Sequence, residues 1–367
     1  MRVLRVIYAL QAGGTETMLA RSLEEVRARG QGTPDFEVCT FVPGGAIEQV
    51  LHGIGIRTFS LNARGAWGLL RAPLALSRLI RRGGYDIVHA HLFPAEVLVA
   101  LVSLAVRKPT YVLSKHNAWT RRTRPWHIAL ERFTTSRFAR IVCNSHDVER
   151  AVVARVPSTA GRTAVVPNGI PAGGAPVRAA EPAYDVIAVG NLRDAQKGID
   201  ILLRALALIP GRFSRAIVVG DGPARRGLEQ LSRELGLTDR VEFRGASRQV
   251  PELLAAARLF VLSSRYEGMP NALMEAMAHG LPAVATAVGG VAEIMTDGET
   301  GVIVPPEDPE ALAGAIASLL SDDERAGRLG QAARARIQER FTVAAHVDGA
   351  LAVYKDVLRL REGARPW

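Results

Sequence analysis

Two glutamates and a helix start dominate the stretch from Ser263 to Gly280, Ser-Ser-Arg-Tyr-Glu-Gly-Met-Pro-Asn-Ala-Leu-Met-Glu-Ala-Met-Ala-His-Gly. The apolar run Leu259 to Leu262 before it reads as the end of a buried strand, and the helix expected near Pro270 stops at Gly280. Asn271 is placed to help satisfy the free amides of that helix start. Glu267 then falls in the loop and Glu275 about one turn into the helix, so the carboxylates flank a helix N-terminus. Unpaired N–H groups and a partial positive charge suit a phosphate there, and carboxylates beside it suit sugar hydroxyls. Acidic residues favour this end of any helix, so the pair alone is also compatible with plain helix chemistry.

The elements that would hold such a loop alternate along the whole chain. Strand-like runs fall at Val3 to Ala9, Phe36 to Phe41, Ile56 to Phe59, Ile87 to His89, Thr110 to Ser114, Ile141 to Cys143 and Ala164 to Val166. Helical runs lie between most of them, at Gly45 to Gly53, Gly68 to Arg82, Ala95 to Val106, Trp126 to Ser136 and His146 to Ala154. Pro171 to Pro182 is rich in Pro, Ala and Gly and marks a linker. The alternation then restarts at Asp185 to Val189 and continues through a hairpin-like Gly298 to Val304, ending in a helix from Val343 to Arg361. Strand and helix in strict alternation predict parallel sheets covered on both faces, with ligands beyond the strands' carboxyl ends. The expected domains are residues 1–170, rejoined by the helix 343–361, and residues 171–342.

That rule draws attention to three strand ends in the first half. Gly13 and Gly14 follow the first strand and let the backbone approach a ligand closely, although a plain tight turn fits them equally well. His89 reads as structural; His116, in Ser114-Lys-His-Asn117, is the better candidate for ligand contact, with His91 behind it. The loop Trp119-Thr-Arg-Arg-Thr-Arg-Pro-Trp126 mixes arginines with tryptophans and reads either as a dock for an anionic surface or as an ordinary basic loop.

Composition narrows the classes. At 367 residues, 48% hydrophobic and 22% charged, the chain is globular and suits two domains. Cys39 and Cys143, its two cysteines, read as buried thiols in a reducing compartment. The opening apolar run is too short for a signal peptide, and Val97 to Val106 is far short of the ~20 residues of a membrane helix. The expected location is cytoplasmic, with attachment at the inner face of a membrane left open. The net charge of +10 is uneven: residues 1–170 hold 23 Lys and Arg against 11 Asp and Glu, and residues 171–367 hold 23 against 25. That imbalance fits an anionic partner for the first half, or simply an arginine-rich surface. No His, Cys, Asp or Glu group has metal spacing, and no cofactor is expected.

Taken in order, the motifs resemble those of family 4 retaining glycosyltransferases over almost the whole length. They are Gly-Gly-Thr-Glu after the first strand, Asp-Ile-Val-His-Ala-His, Val-Pro-Asn-Gly-Ile, Val-Gly-Asn-Leu-Arg with its later Lys-Gly, Val-Gly-Asp-Gly-Pro, and the Glu267/Glu275 spacing. The resemblance implies a GT-B fold, two Rossmann-like domains facing across a cleft, with acceptor bound by the first and a UDP- or GDP-sugar donor by the second. It further implies that Arg193 and Lys197 grip the donor diphosphate, with Gly13 and Gly14 approaching it, and that Asn271, Ala272 and Glu275 bind the nucleotide. Glu267 would hold the transferred sugar, His116 would stand beside it, and His91, Asn117, Trp119, Arg121 and Arg122 would face the acceptor. One departure is Asn191, where many relatives carry arginine; Arg193 is expected to supply that charge.

With fixed cations at the phosphate and no obvious carboxylate nucleophile, the favoured chemistry is metal-independent displacement on one face of the sugar, for a lipid-linked or polysaccharide-precursor acceptor. Two alternatives stand beside it: a nucleotide-sugar epimerase or hydrolase of the same fold, and a non-catalytic polyanion binder. A nucleic-acid partner is not expected, and a dehydrogenase is disfavoured because no strand is followed by a full Gly-x-Gly-x-x-Gly.

Overall fold

The computed structural model describes residues 1–11, 13–117, 125–171 and 181–363, which form two compact units. Unit 1 comprises Met1–Gly169 and Val343–Trp367; unit 2 comprises Ile170–Thr342. The expected linker between Pro171 and Pro182 lies largely outside the described residues.

Unit 1 begins β1 (Arg2–Ile7), α1 (Gly14–Arg29), β2 (Asp35–Thr40), α2 (Ala46–Gly53), β3 (Arg57–Ser60), α3 (Gly65–Gly83) and β4 (Ile87–His91). It continues with α4 (Leu92–Ser103), β5 (Thr110–Lys115), α5 (Pro125–Ser136), β6 (Arg140–Cys143), α6 (His146–Arg155) and β7 (Thr163–Val165). The seven strands lie in the order β3-β2-β1-β4-β5-β6-β7, and every pair is parallel. Side chains alternate across a strand. Leu4 and Val6 of β1 therefore pack on the α3–α4 side, and Val3 and Ile7 on the α1 side. Cys39 and Cys143 are free, buried thiols, each pushed up to about 12 by burial.

Unit 2 repeats the plan: β8 (Tyr184–Val189), α7 (Ile199–Leu208), β9 (Ala216–Val219), α8 (Arg225–Glu234), β10 (Val241–Gly245), α9 (Val250–Ala255) and β11 (Ala257–Leu262). Then follow α10 (Asn271–Ala278), β12 (Ala283–Thr286), α11 (Val291–Ile294), β13 (Val302–Val304), α12 (Pro309–Ser321) and α13 (Asp323–Arg340). Its six strands are again all parallel, in the order β10-β9-β8-β11-β12-β13. The expected hairpin at Gly298–Val304 does not form. The Gly298 amide bonds the Gly301 carbonyl to close a turn, and β13 then joins the sheet edge parallel to β12. A tight turn in the sequence looked the same as a hairpin turn; the available partner strand decided the outcome.

The last helix, α14 (Val343–Gly363), completes unit 1. Val347, Val353, Tyr354 and Val357 fill the α1 side of its core. Tyr354 is fully buried, 6.3 Å ring to ring from Phe36, and its hydroxyl lies 2.7 Å from His89 Nδ1. Arg140 adds an ion pair to Asp356. Tyr354→Ala is expected to cost about 3–5 kcal/mol, because it opens a cavity and strips a partner from a buried imidazole. Tyr354→Phe should cost only about 1–2 kcal/mol; urea denaturation measures both, and equal losses would contradict this packing.

Candidate active site

Two loops at the carboxyl ends of neighbouring strands build a dense polar site in unit 2. After β8, residues 190–198 form one loop, ending in a short turn of 3-10 helix at Ala195–Lys197. After β11, residues 263–270 form the other. They are tied at many points. Ser263 Oγ donates to the Lys197 carbonyl at 3.0 Å, Gln196 Nε2 to the Tyr266 carbonyl at 3.1 Å, and the Arg265 amide to the Gln196 carbonyl at 2.8 Å. Arg265 then grips Asp200 through both terminal nitrogens, at 2.7 and 2.8 Å, and also pairs with Glu307. Burial alone would raise the Asp200 pKa, but the Arg265 bonds and charge outweigh it and hold the carboxylate below its usual range.

Within this frame Lys197 Nζ meets Glu267 Oε1 at 2.6 Å, and Ser264 Oγ donates to the same oxygen at 2.7 Å. Both partners are largely buried, with side chains 18% and 7% exposed. Two glycines make room for them. Gly198 is left-handed (φ +58°), and a Cβ there would strike the Ser263 carbonyl; at Gly289 (φ +54°) it would strike the Glu267 carbonyl. Arg193 is exposed and makes no ion pair with any described residue. Helix α10 starts four residues after Glu267. Asn271, expected to help cap it, is instead its first residue; the cap position is Pro270, which makes no side-chain capping bond. Ala272 and Glu275 follow in the first turns, both half-buried.

The sequence pointed to Lys197 and Glu267 separately, and the structure brings them into one ion pair. It also adds Ser264, Arg265 and Asp200, which spacing did not single out. Arg265 stood in the motif stretch, but nothing there linked it to Asp200.

Unit 1 holds a second cluster where β1, β4 and β5 run out. His89 bridges Tyr354 and Ser114 Oγ (2.8 Å), the structural role expected of it. His91 lies tilted against His89, with ring centroids 4.2 Å apart, and stacks with His116 at 5.9 Å. Neither ring nitrogen of His91 meets a partner among the described residues, and His116 Nε2 is sealed from solvent. These rings, with Arg5, Thr15 and His346, line a cavity of about 30 Å³, large enough for about two waters. Burial drives His116 and His346 down to about 4, with His346 adding to the shift of His116. Behind His116, Lys115 is held by Glu96 (2.9 Å) and Glu131 (3.0 Å); burial works against its charge, and the two carboxylates restore it.

Of the remaining candidates, Asn117 is exposed beside His116, while Trp119, Arg121 and Arg122 lie outside the described residues. Gly13 caps α1 in extended backbone, and a Cβ on it would strike the Glu16 carboxylate, so the space beside it is taken by this chain's own acid. Gly14 is the first residue of α1. Among the described residues no group of three or more His, Cys, Asp or Glu could hold a metal ion. No described helix is long and apolar enough to cross a membrane.

Comparison with known proteins adds relatives for both units. Residues 12–173 match the family described as Glycosyltransferase Family 4, and residues 183–322 match Glycosyl transferases group 1. An N-acetyl-alpha-D-glucosaminyl L-malate synthase of Bacillus anthracis is 33% identical over 47% of this chain and 46% of its own length. A D-inositol 3-phosphate glycosyltransferase of Nocardia farcinica is 28% identical over 96% of this chain and 87% of its own. The first of these matches, like several others, spans only about half of the relative's length. Anabaena HepE, solved in complex with UDP-glucose, superposes with a TM-score of 0.82 at 23% identity, over 99% of this chain and all of that one. A sucrose-phosphate synthase of Thermosynechococcus elongatus gives 0.82 at 24% identity, over 98% of this chain and all of that one. The fold is GT-B.

The histidine cluster makes stability depend on pH. His89, His91, His116 and His346 all have folded pKa values below the usual 6.5, with burial the largest cause in each. Below 6.5 the unfolded chain therefore binds more protons than the folded one, so stability is full above that pH and falls as pH drops toward 4. Four such groups set a limiting slope of about 5 kcal/mol per pH unit. Urea midpoints measured between pH 7.5 and 4.5 should fall steeply; a flat profile would contradict neutral burial of the cluster.

Proposed function

The chain belongs to glycosyltransferase family 4, and from that premise we propose that it transfers a sugar from a nucleotide-diphosphate sugar to an acceptor hydroxyl, with retention at the anomeric carbon. The observation that carries this reading is the Lys197–Glu267 pair, held rigidly between two braced loops a few residues ahead of a helix N-terminus. Breaking the bond from the anomeric carbon to the diphosphate builds negative charge on the leaving oxygen. Fixed cations and amides facing that oxygen lower the barrier without reorganising. Lys197, Arg193 and the start of α10 at Asn271 and Ala272 supply them in unit 2, with no metal required.

The remaining roles follow from charge and reach. Glu267 steadies Lys197 and presents its carboxylate to a hydroxyl of the transferred sugar, while Glu275 takes the ribose hydroxyls. The acceptor oxygen attacks on the face the diphosphate leaves, and its proton passes to the departing phosphate oxygen, so no protein base is consumed. His91, His116 and Asn117 of unit 1 serve the sugar and acceptor side. A relative named as a lipopolysaccharide core biosynthesis glycosyltransferase supports a lipid-linked or cell-surface glycan as product. HepE was solved with UDP-glucose, which supports a UDP-sugar donor ahead of a GDP-sugar.

Lys197→Ala is expected to lower turnover at saturating donor by about tenfold or more. Because it also leaves Glu267 buried without its cation, melting temperature is measured alongside. A folded variant with the parent's rate would overturn the assignment. Consumption of donor at full rate without acceptor would favour an epimerase or hydrolase instead.

A further inference from the structure

We propose that the outer face of the α3–α4–α5 helix layer in unit 1 docks on an anionic membrane surface. The proposal deepens the lipid-linked acceptor reading and is independent of the sugar chemistry in unit 2. On α3, Trp67, Leu70 and Leu74 are 77%, 72% and 54% exposed. They share one stripe with the exposed Arg71, Arg78 and Arg81, since residues three and four apart lie on one helix face. The opposite stripe, Ala72, Leu76 and Ile80, is the one buried on the sheet. The apolar residues that face solvent are therefore surplus to the core.

The same pattern continues on the neighbouring helices. α4 packs beside both α3 and α5, and Leu101 and Leu104 at its end, with Trp126 and Phe133 on α5, are also exposed. Thirteen large apolar side chains are exposed among the described residues, and eight of them belong to this layer, which marks a patch and not scatter. Charge shows what it faces. The described residues between 61 and 140 include 11 Lys and Arg against three acids. Glu96 and Glu131 are buried on Lys115, and Asp86 accepts from the Arg2 amide. The patch thus presents leucine and tryptophan among arginines with scarcely any acid.

A second copy of this face would set arginine against arginine, and a nucleic acid would leave the leucines and tryptophans in contact with water. An anionic bilayer surface satisfies both, because headgroups meet the arginines while apolar side chains enter the acyl boundary. Topology adds a position. In a parallel sheet each crossover helix starts beside the carboxyl end of the strand before it, so Trp67 near the start of α3 and Trp126 near the start of α5 lie at the end of unit 1 that carries His91 and His116. A lipid held in that surface would present its head to this end.

Flotation of the full chain with vesicles of phosphatidylcholine, with and without a quarter of phosphatidylglycerol, tests the proposal. Expected is binding to the anionic vesicles at low ionic strength that weakens as salt rises. The double variant Trp67→Ser/Leu70→Ser should bind about tenfold more weakly or worse, and Arg71→Gln and Arg78→Gln each about fivefold more weakly. Because these side chains are exposed, melting temperatures should match the parent's. Lys197→Ala should float like the parent, which separates this surface from the transfer reaction. The proposal is overturned if the chain stays unbound, if it binds uncharged vesicles equally, if the variants bind like the parent, or if the patch instead drives concentration-dependent self-association that Trp67→Ser/Leu70→Ser abolishes.

Discussion

A lysine and a glutamate, drawn from loops 70 residues apart, share a short ion pair in a nearly dry place, and the local architecture of unit 2 serves to keep them there. A largely buried charge is tolerable only if it is paired and further hydrogen-bonded. Lys197 has Glu267, and Glu267 has Ser264 as well. The cost of holding both is met by the surrounding frame, above all the two-pronged grip of Arg265 on Asp200, which fixes one loop to the first turn of α7. A group fixed in this way needs little rearrangement to meet the diphosphate of the proposed donor.

The parallel sheets explain why such sites occur where they do. Every strand in both units runs the same way, so loops of like kind gather at one end of each sheet. In unit 2 that end carries Lys197 and Glu267; in unit 1 it carries His91 and His116. The two ends differ electrostatically. Unit 2 sets charged groups in a paired network, whereas unit 1 buries imidazoles with no carboxylate among the described residues lining their cavity, and burial pushes their pKa values down.

Much of this was legible because local rules and the fold agree. Alternating apolar runs located strands such as Ile141–Cys143 and helices such as Gly45–Gly53 to within a residue, since turn chemistry bounds each of them. His89 was correctly read as structural, although its partner Tyr354 is 265 residues away and could not be named. What sequence could not supply were pairings across loops: Lys197 with Glu267 and Arg265 with Asp200 depend on how two strand ends sit side by side. The expected hairpin at Gly298 failed for the same reason, since a neighbouring strand decides how a turn is used. Helix α3 was harder still. Leucines at helical spacing look alike whether they face a core or solvent, and only burial separates Leu76 from Leu70.

The claim on which this account rests is that unit 2 recognises a diphosphate through Lys197. Calorimetric titration of UDP and GDP, each against its own nucleoside, tests it most directly. The account predicts that at least one diphosphate binds about tenfold or more tightly than its nucleoside and that Lys197→Met erases most of that margin. Equal affinity for diphosphate and nucleoside, or a margin untouched by the substitution, would contradict it.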